Sequence, residues 1–137
     1  MLNFSGLAAA LTAFLGIWLG HVMVRWIEFR ALSLRPPMVV FCLLGAGCLT
    51  VSLAGADFVA SAVPGILGIT FLWDALECAR QEKRVRRGHA PANPNNPRHA
   101  RILASCPTAT TIHWLERDPL GRSYTEAERQ AIMEREQ

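Results

Sequence analysis

The chain has 137 residues, 14 Lys and Arg against 11 Asp and Glu, a net charge of +3, and 51% hydrophobic residues. The apolar residues are concentrated in the first 80 positions instead of being interleaved with charges, which argues against a small soluble domain. The basic residues form no cluster with aromatics and match no groove-reading motif, so nucleic acid is not expected as a partner.

Residues 1–24 contain no Asp, Glu, Lys or Arg. A helix of that length rises about 36 Å, enough for a hydrocarbon core of about 30 Å. The first span is expected at about residues 4–26, within a helix from Phe4 to Glu28. No basic region precedes it and no cleavage site follows, so it is expected to remain in the mature protein. Ala8, Thr12, Gly16 and Gly20 fall four apart and form one face of small residues, with Gly16 and Gly20 as a GxxxG element. Such a face lets two backbones approach closely. The partner is either a second copy of the chain or one of its own helices.

Arg35-Pro36-Pro37 ends the first connection, and proline fits the first turn of a following helix. Residues 36–56 are again uncharged, giving a second span at about 38–55. Gly55-Ala56-Asp57 reads as a tight turn. A third span at about 60–79 follows, with Asp57 and Ser61 as alternative N-caps. Ser61 is favoured because it places Pro64 in the first turn. From Asp74 to Arg87 the chain holds no Gly or Pro, so this helix should extend past the apolar stretch and stop at Gly88.

Charge sets the expected orientation. Arg25, Arg30 and Arg35 lie between spans one and two, only Asp57 lies between two and three, and Arg80, Lys83, Arg84, Arg86 and Arg87 follow the third. Basic loops face the cytoplasm, which puts the amino terminus outside and the tail in the cytoplasm. Those last five residues form an expected headgroup-binding basic patch, with the lipid bilayer as partner. Residues 1–88 make the membrane domain, 89–97 with three Pro and three Asn an extended linker, and 98–137 a polar cytoplasmic tail. Within the tail, 108–115 is β-branched and aromatic enough for a short strand. Ser123-x-x-Glu126 and Thr125-x-x-Glu128 both offer capping boxes for a last helix to about Arg135. The fold class is therefore an all-α integral membrane three-helix bundle with an extended third helix and a small tail.

The segment Leu72 to Pro94, with Leu72, Trp73, Glu77, Gln81, Glu82, Arg84, Val85, Gly88, Pro91, Asn93 and Pro94, resembles the end of an uncharacterised family of small bacterial three-span membrane proteins. Asn3-Phe4-x-Gly6 and the pair His21 and Glu28 are similar to its first helix. The resemblance spans about residues 1–97, implies the three-span topology, and implies no activity.

Chemistry-bearing residues are few. His21, Arg25 and Glu28 lie at i, i+4 and i+7, so they share one helical face, and Asp74 and Glu77 sit at the same end of the third helix. This polar cluster at the cytoplasmic boundary suits a proton relay or a cation site. The favoured alternative is structural: Arg25 snorkels, and the carboxylates pair with Arg80 or Arg84, with Glu77 partly exposed. His89, His99, Cys106 and His113 match no compact zinc spacing, and His21 is the only intramembrane candidate for an axial haem ligand, so no metal or cofactor is expected. The four cysteines suggest no disulfide. Trp26 and Trp73 read as interfacial anchors. With no catalytic motif present, the leading expectation is a non-enzymatic accessory or scaffold subunit that self-associates or joins a larger membrane complex. The alternative is a small oligomeric transporter or channel; a membrane enzyme subunit is a third, weaker option.

Overall fold

The computed structural model describes residues 4–113 and 124–135, which contain five helices and no strand. Asn3, Ser123 and residues 114–115 of the expected strand lie outside them. The chain forms two compact units, Met1–Gln81 and Glu82–Gln137.

The first unit is built from three helices, α1 (Ser5–Arg30), α2 (Arg35–Ala54) and α3 (Phe58–Arg86), each long and apolar enough to cross a membrane. Pro36 and Pro37 occupy the start of α2, where a missing amide leaves no helical bond unmade. Residues 55–57 make the turn into α3. That helix starts three residues before Ser61. The carboxylate of Asp57 accepts the Ala60 amide at 2.9 Å, so Asp57 is the cap and Pro64 lies inside the helix. The expected Ser61 cap is thus corrected. The local rule for Pro64 is outweighed by the charged cap of Asp57 and by Ser52, whose hydroxyl donates to the Ser61 carbonyl at 2.7 Å.

Both α1 and α2 meet α3 through small residues. Gly16 lies against Leu67 and Thr70, and Gly20 against Asp74. The small-residue face of α1 therefore packs on the chain's own third helix. Gly45 on α2 approaches the backbone of Gly68, and a Cβ built on Gly45 would come within 2.9 Å of the Gly68 carbonyl oxygen. Burial of side chains cannot drive helices together within lipid, so close backbone approach and dispersion hold these seams. Toward the Arg-bearing end, Val24, Phe41, Ala75 and Cys78 form the buried core, with Phe41 and Phe71 stacked at 6.2 Å. Large apolar side chains such as Leu11, Phe14, Leu43, Leu53 and Ile69 remain exposed. That is the surface expected of a protein solvated by hydrocarbon.

The second unit holds the last turn of α3, α4 (Pro97–Ser105) and α5 (Glu126–Arg135). α3 stops as the sequence indicates. Gly88 adopts φ +72°, its amide bonds the Val85 carbonyl, and the His89 amide bonds that of Arg84. This pairing satisfies carbonyls that the helix end would leave open. The segment 89–97 is not the extended linker expected. Ala90 and Ala92 are buried with Val85 and Ile102 in a small core, and the chain turns at Asn93–Asn96. Asn96 then caps α4, accepting the Arg98 amide at 3.0 Å, with Pro97 in the first turn. Residues 108–113 form no strand. The Ala92 amide bonds the Thr110 carbonyl, but no ladder develops. α5 begins at the Thr125 capping box, in which the Thr125 amide donates to Glu128 at 2.8 Å and the Glu128 amide returns to Thr125 at 3.4 Å.

Candidate functional site: carboxylates between the first and third helices

The buried stripe of α1 is Gly20, Val24 and Glu28, spaced four apart. Glu28 therefore turns inward, while His21 and Arg25 are exposed on its flank. The single face expected for His21, Arg25 and Glu28 is split by this stripe. On α3, Asp74, Glu77 and Gln81 are all buried, together with Cys78. Glu28, Asp74 and Glu77 lie within electrostatic reach of the Cys78 thiol, and His21 and Glu77 within reach of Asp74. The structure thus gathers His21, Glu28, Asp74 and Glu77 around one level of the bundle.

Their surroundings differ. Glu77 accepts a hydrogen bond from Arg80 at 2.9 Å, one helical turn on, and the Arg80 guanidinium lies 4.5 Å over the Trp73 ring. Glu77 is buried, not partly exposed, although Arg80 is half exposed. Arg30 covers Trp26 in the same way, at 5.0 Å. Trp26 and Trp73 therefore each carry a guanidinium, an arrangement suited to an aromatic ring near a charged boundary. Asp74 is the exception. It is 2% exposed, and among the described residues no side chain or amide hydrogen-bonds its carboxylate.

Beside Asp74 is a cavity of about 280 Å³, lined by Ile17, His21, Ile69, Thr70, Trp73 and Asp74. Ile17, Trp73 and Ile69 are exposed at its rim, so it opens on the outer surface of the unit. Thr70 donates its hydroxyl hydrogen to the Ile66 carbonyl at 2.8 Å, which leaves its oxygen able to accept.

The remaining expected site residues are dispersed. Ala8 and Thr12 are half-buried, and Thr12 bonds its own helix at the Ala8 carbonyl. Of the basic residues, Arg86 is held by Glu82 at 2.7 Å, and Glu82 also binds Arg98 at 3.0 Å. Lys83, Arg84 and Arg87 are exposed. Among the described residues no three His, Cys, Asp or Glu are placed to hold a metal ion. The buried His99 ring accepts the Asn93 amide at Nδ1 and meets Arg98 at Nε2. The cysteines are all unpaired thiols. Sequence reasoning missed the burial of Gln81, the central place of Cys78, and the cavity. The only signal for these was Asp74 and Cys78 lying one turn apart on the face of α3 that also holds Gln81.

Residues 3–96 match the domain of unknown function DUF4491. The chain belongs to this family. Its extent covers the three apolar helices and ends at Asn96, the cap of α4, so Gly20, Glu28, Asp74 and Glu77 all lie within it. The family assigns no reaction, and it is the three long apolar helices that make the chain compatible with a membrane. No curated protein and no solved structure matches the chain.

Proposed function

We propose that this chain is a non-enzymatic membrane subunit, an accessory or scaffold element that self-associates or joins a larger membrane complex. Its orientation in the bacterial inner membrane follows from charge: amino terminus and Asp57 outside, the Arg-rich end and tail in the cytoplasm. The observation that carries the reading is how the hydroxyls of the spans are used. Thr12 donates to Ala8, Thr50 to Gly47, Ser52 to Ser61 and Thr70 to Ile66, all to backbone carbonyls at 2.7–2.8 Å. Hydroxyls bonded to the backbone offer no polar file across the hydrocarbon. Apart from Asp57 in the turn before α3, the charged residues of the three helices gather at one end, which suits a packing and anchoring role.

A second reading, transport of protons or small cations by an oligomer, draws on the buried Asp74 beside His21. Vesicles reconstituted with the full chain separate the two. The scaffold reading expects no pH-driven flux above empty vesicles, and in-membrane cross-linking that yields discrete adducts of the chain. A flux present in wild type and abolished by Glu77→Gln or Asp74→Asn with the fold intact would replace it with the transport reading.

A further inference from the structure

A carboxylate that is 98% buried and receives no hydrogen bond from the described residues is a costly feature in any protein, and more so in a bundle solvated by lipid. It is tolerated where something outside the described contacts satisfies it. Asp74 borders the cavity that opens beside it, so the satisfying group can reach it from there.

The lining specifies the chemistry of that group. Asp74 excludes anions and calls for a donor with positive charge. A bare metal ion is disfavoured, because no third ligand of the usual kind is placed to join His21 and Asp74. An ammonium has three hydrogens to donate and no acceptor. The cavity offers two acceptors to match, the Asp74 carboxylate and the Thr70 oxygen whose own hydrogen is spent on Ile66, with the His21 ring also on its wall. The remaining walls are Ile17, Ile69 and Trp73, which are apolar and exposed toward the surroundings of the bundle. A ligand seated there therefore keeps its hydrocarbon part in contact with lipid while its charged head reaches inward.

We propose that the cavity between α1 and α3 binds an amphipathic primary ammonium, with Asp74 as its counter-ion and Thr70 as a further acceptor. The shared chemistry is a protonated amine on an apolar body. It is supplied either by an aminophospholipid headgroup or by an unattached long-chain amine. The inference stands apart from the scaffold reading, since a site of this kind serves an anchored subunit as well as a carrier.

The test uses the full chain in phosphatidylcholine nanodiscs, exposed to dodecylamine or to dodecanol, with ligand retained on the protein counted by native mass spectrometry. Wild type should retain one dodecylamine with at least tenfold higher occupancy than Asp74→Asn, and dodecanol should be held equally weakly by both. Ile69→Trp, which fills the cavity and keeps Asp74, should lose the amine to the same extent; it carries the test if Asp74→Asn does not fold. A second arm uses nanodiscs of equal phosphatidylethanolamine and phosphatidylcholine. Enrichment of phosphatidylethanolamine on wild type over the variants assigns the site to a headgroup, and enrichment of dodecylamine alone assigns it to an unattached amine. Equal retention of dodecylamine by wild type and the folded variants, or retention of dodecanol matching that of the amine, overturns the proposal.

Discussion

Asp74 and Gly20 face each other across the α1–α3 seam so closely that a Cβ built on Gly20 would lie 2.5 Å from both carboxylate oxygens. Gly20 is thus the residue whose missing side chain lets a buried carboxylate stand at the helix interface. Gly20→Ala must displace Asp74 or separate the helices. A destabilisation of about 1–3 kcal/mol is expected, the usual cost of overfilling a packed site. Gly16, four residues earlier, has only ordinary contacts at 3.6 Å, so Gly16→Ala should change stability by less than about 0.5 kcal/mol. Thermal unfolding of both variants in detergent decides it, and equal effects would count against the asymmetric seam.

The α2–α3 seam should be the less forgiving one. At Gly45 the obstacle includes the Gly68 carbonyl, which belongs to the backbone and cannot rotate away, whereas nothing lies within 4 Å of a Cβ on Gly47. Gly45→Ala is expected to lower the midpoint of thermal unfolding markedly, and Gly47→Ala to leave it at or slightly above wild type, since alanine favours helix. Similar midpoints for the two variants would show that α2 does not pack in this register.

Glu77→Gln removes a charge from a buried position while leaving Arg80 half exposed. A fully buried pair broken on one side costs about 3–5 kcal/mol and an exposed pair about 0–1 kcal/mol. The mixed exposure of this pair places the expected loss near 1–2 kcal/mol. Chemical denaturation of Glu77→Gln and of Arg80→Gln should give comparable losses, and the double variant less than their sum. Strict additivity would mean that the 2.9 Å contact contributes nothing.

Orientation can be read by thiol labelling. In a background whose four native cysteines are replaced by alanine, Asp57→Cys should react with an impermeant maleimide on intact cells, and Asn95→Cys only after lysis. The opposite pattern would invert the topology derived from the basic residues.

The three apolar helices were legible because an uncharged run of about 20 residues has few alternatives. The Gly88 stop and the Thr125 box were legible because both are local motifs, complete within a few residues. What escaped depended on residues distant in sequence. Gly45 and Gly68 are unremarkable until α2 and α3 are set in register. Asp57 won over Ser61 as cap although Pro64 pointed the other way. The Asn96-Pro97 start of α4 was present in the sequence, yet three prolines and three asparagines nearby favoured a linker. Residues 108–113 have the composition of a strand, but β-propensity acts only through a neighbour, and the one bond between Ala92 and Thr110 does not make one. The cluster at His21, Glu28, Asp74 and Glu77 could be placed at one level from helix direction alone. Which of them face inward could not, since that depends on helix rotation.

Because α1 packs on α3 through Gly16 and Gly20, the helix synthesised first finds its neighbour last. While the ribosome is still making α2, the inward stripe of Gly20, Val24 and Glu28 has no Asp74, Ala75 or Cys78 to meet. A chain ending at Ala54 would hold the inward-turned Glu28 without the face of α3 around Cys78 that lies beside it. Completion of the third span is therefore also the moment at which the first becomes secure.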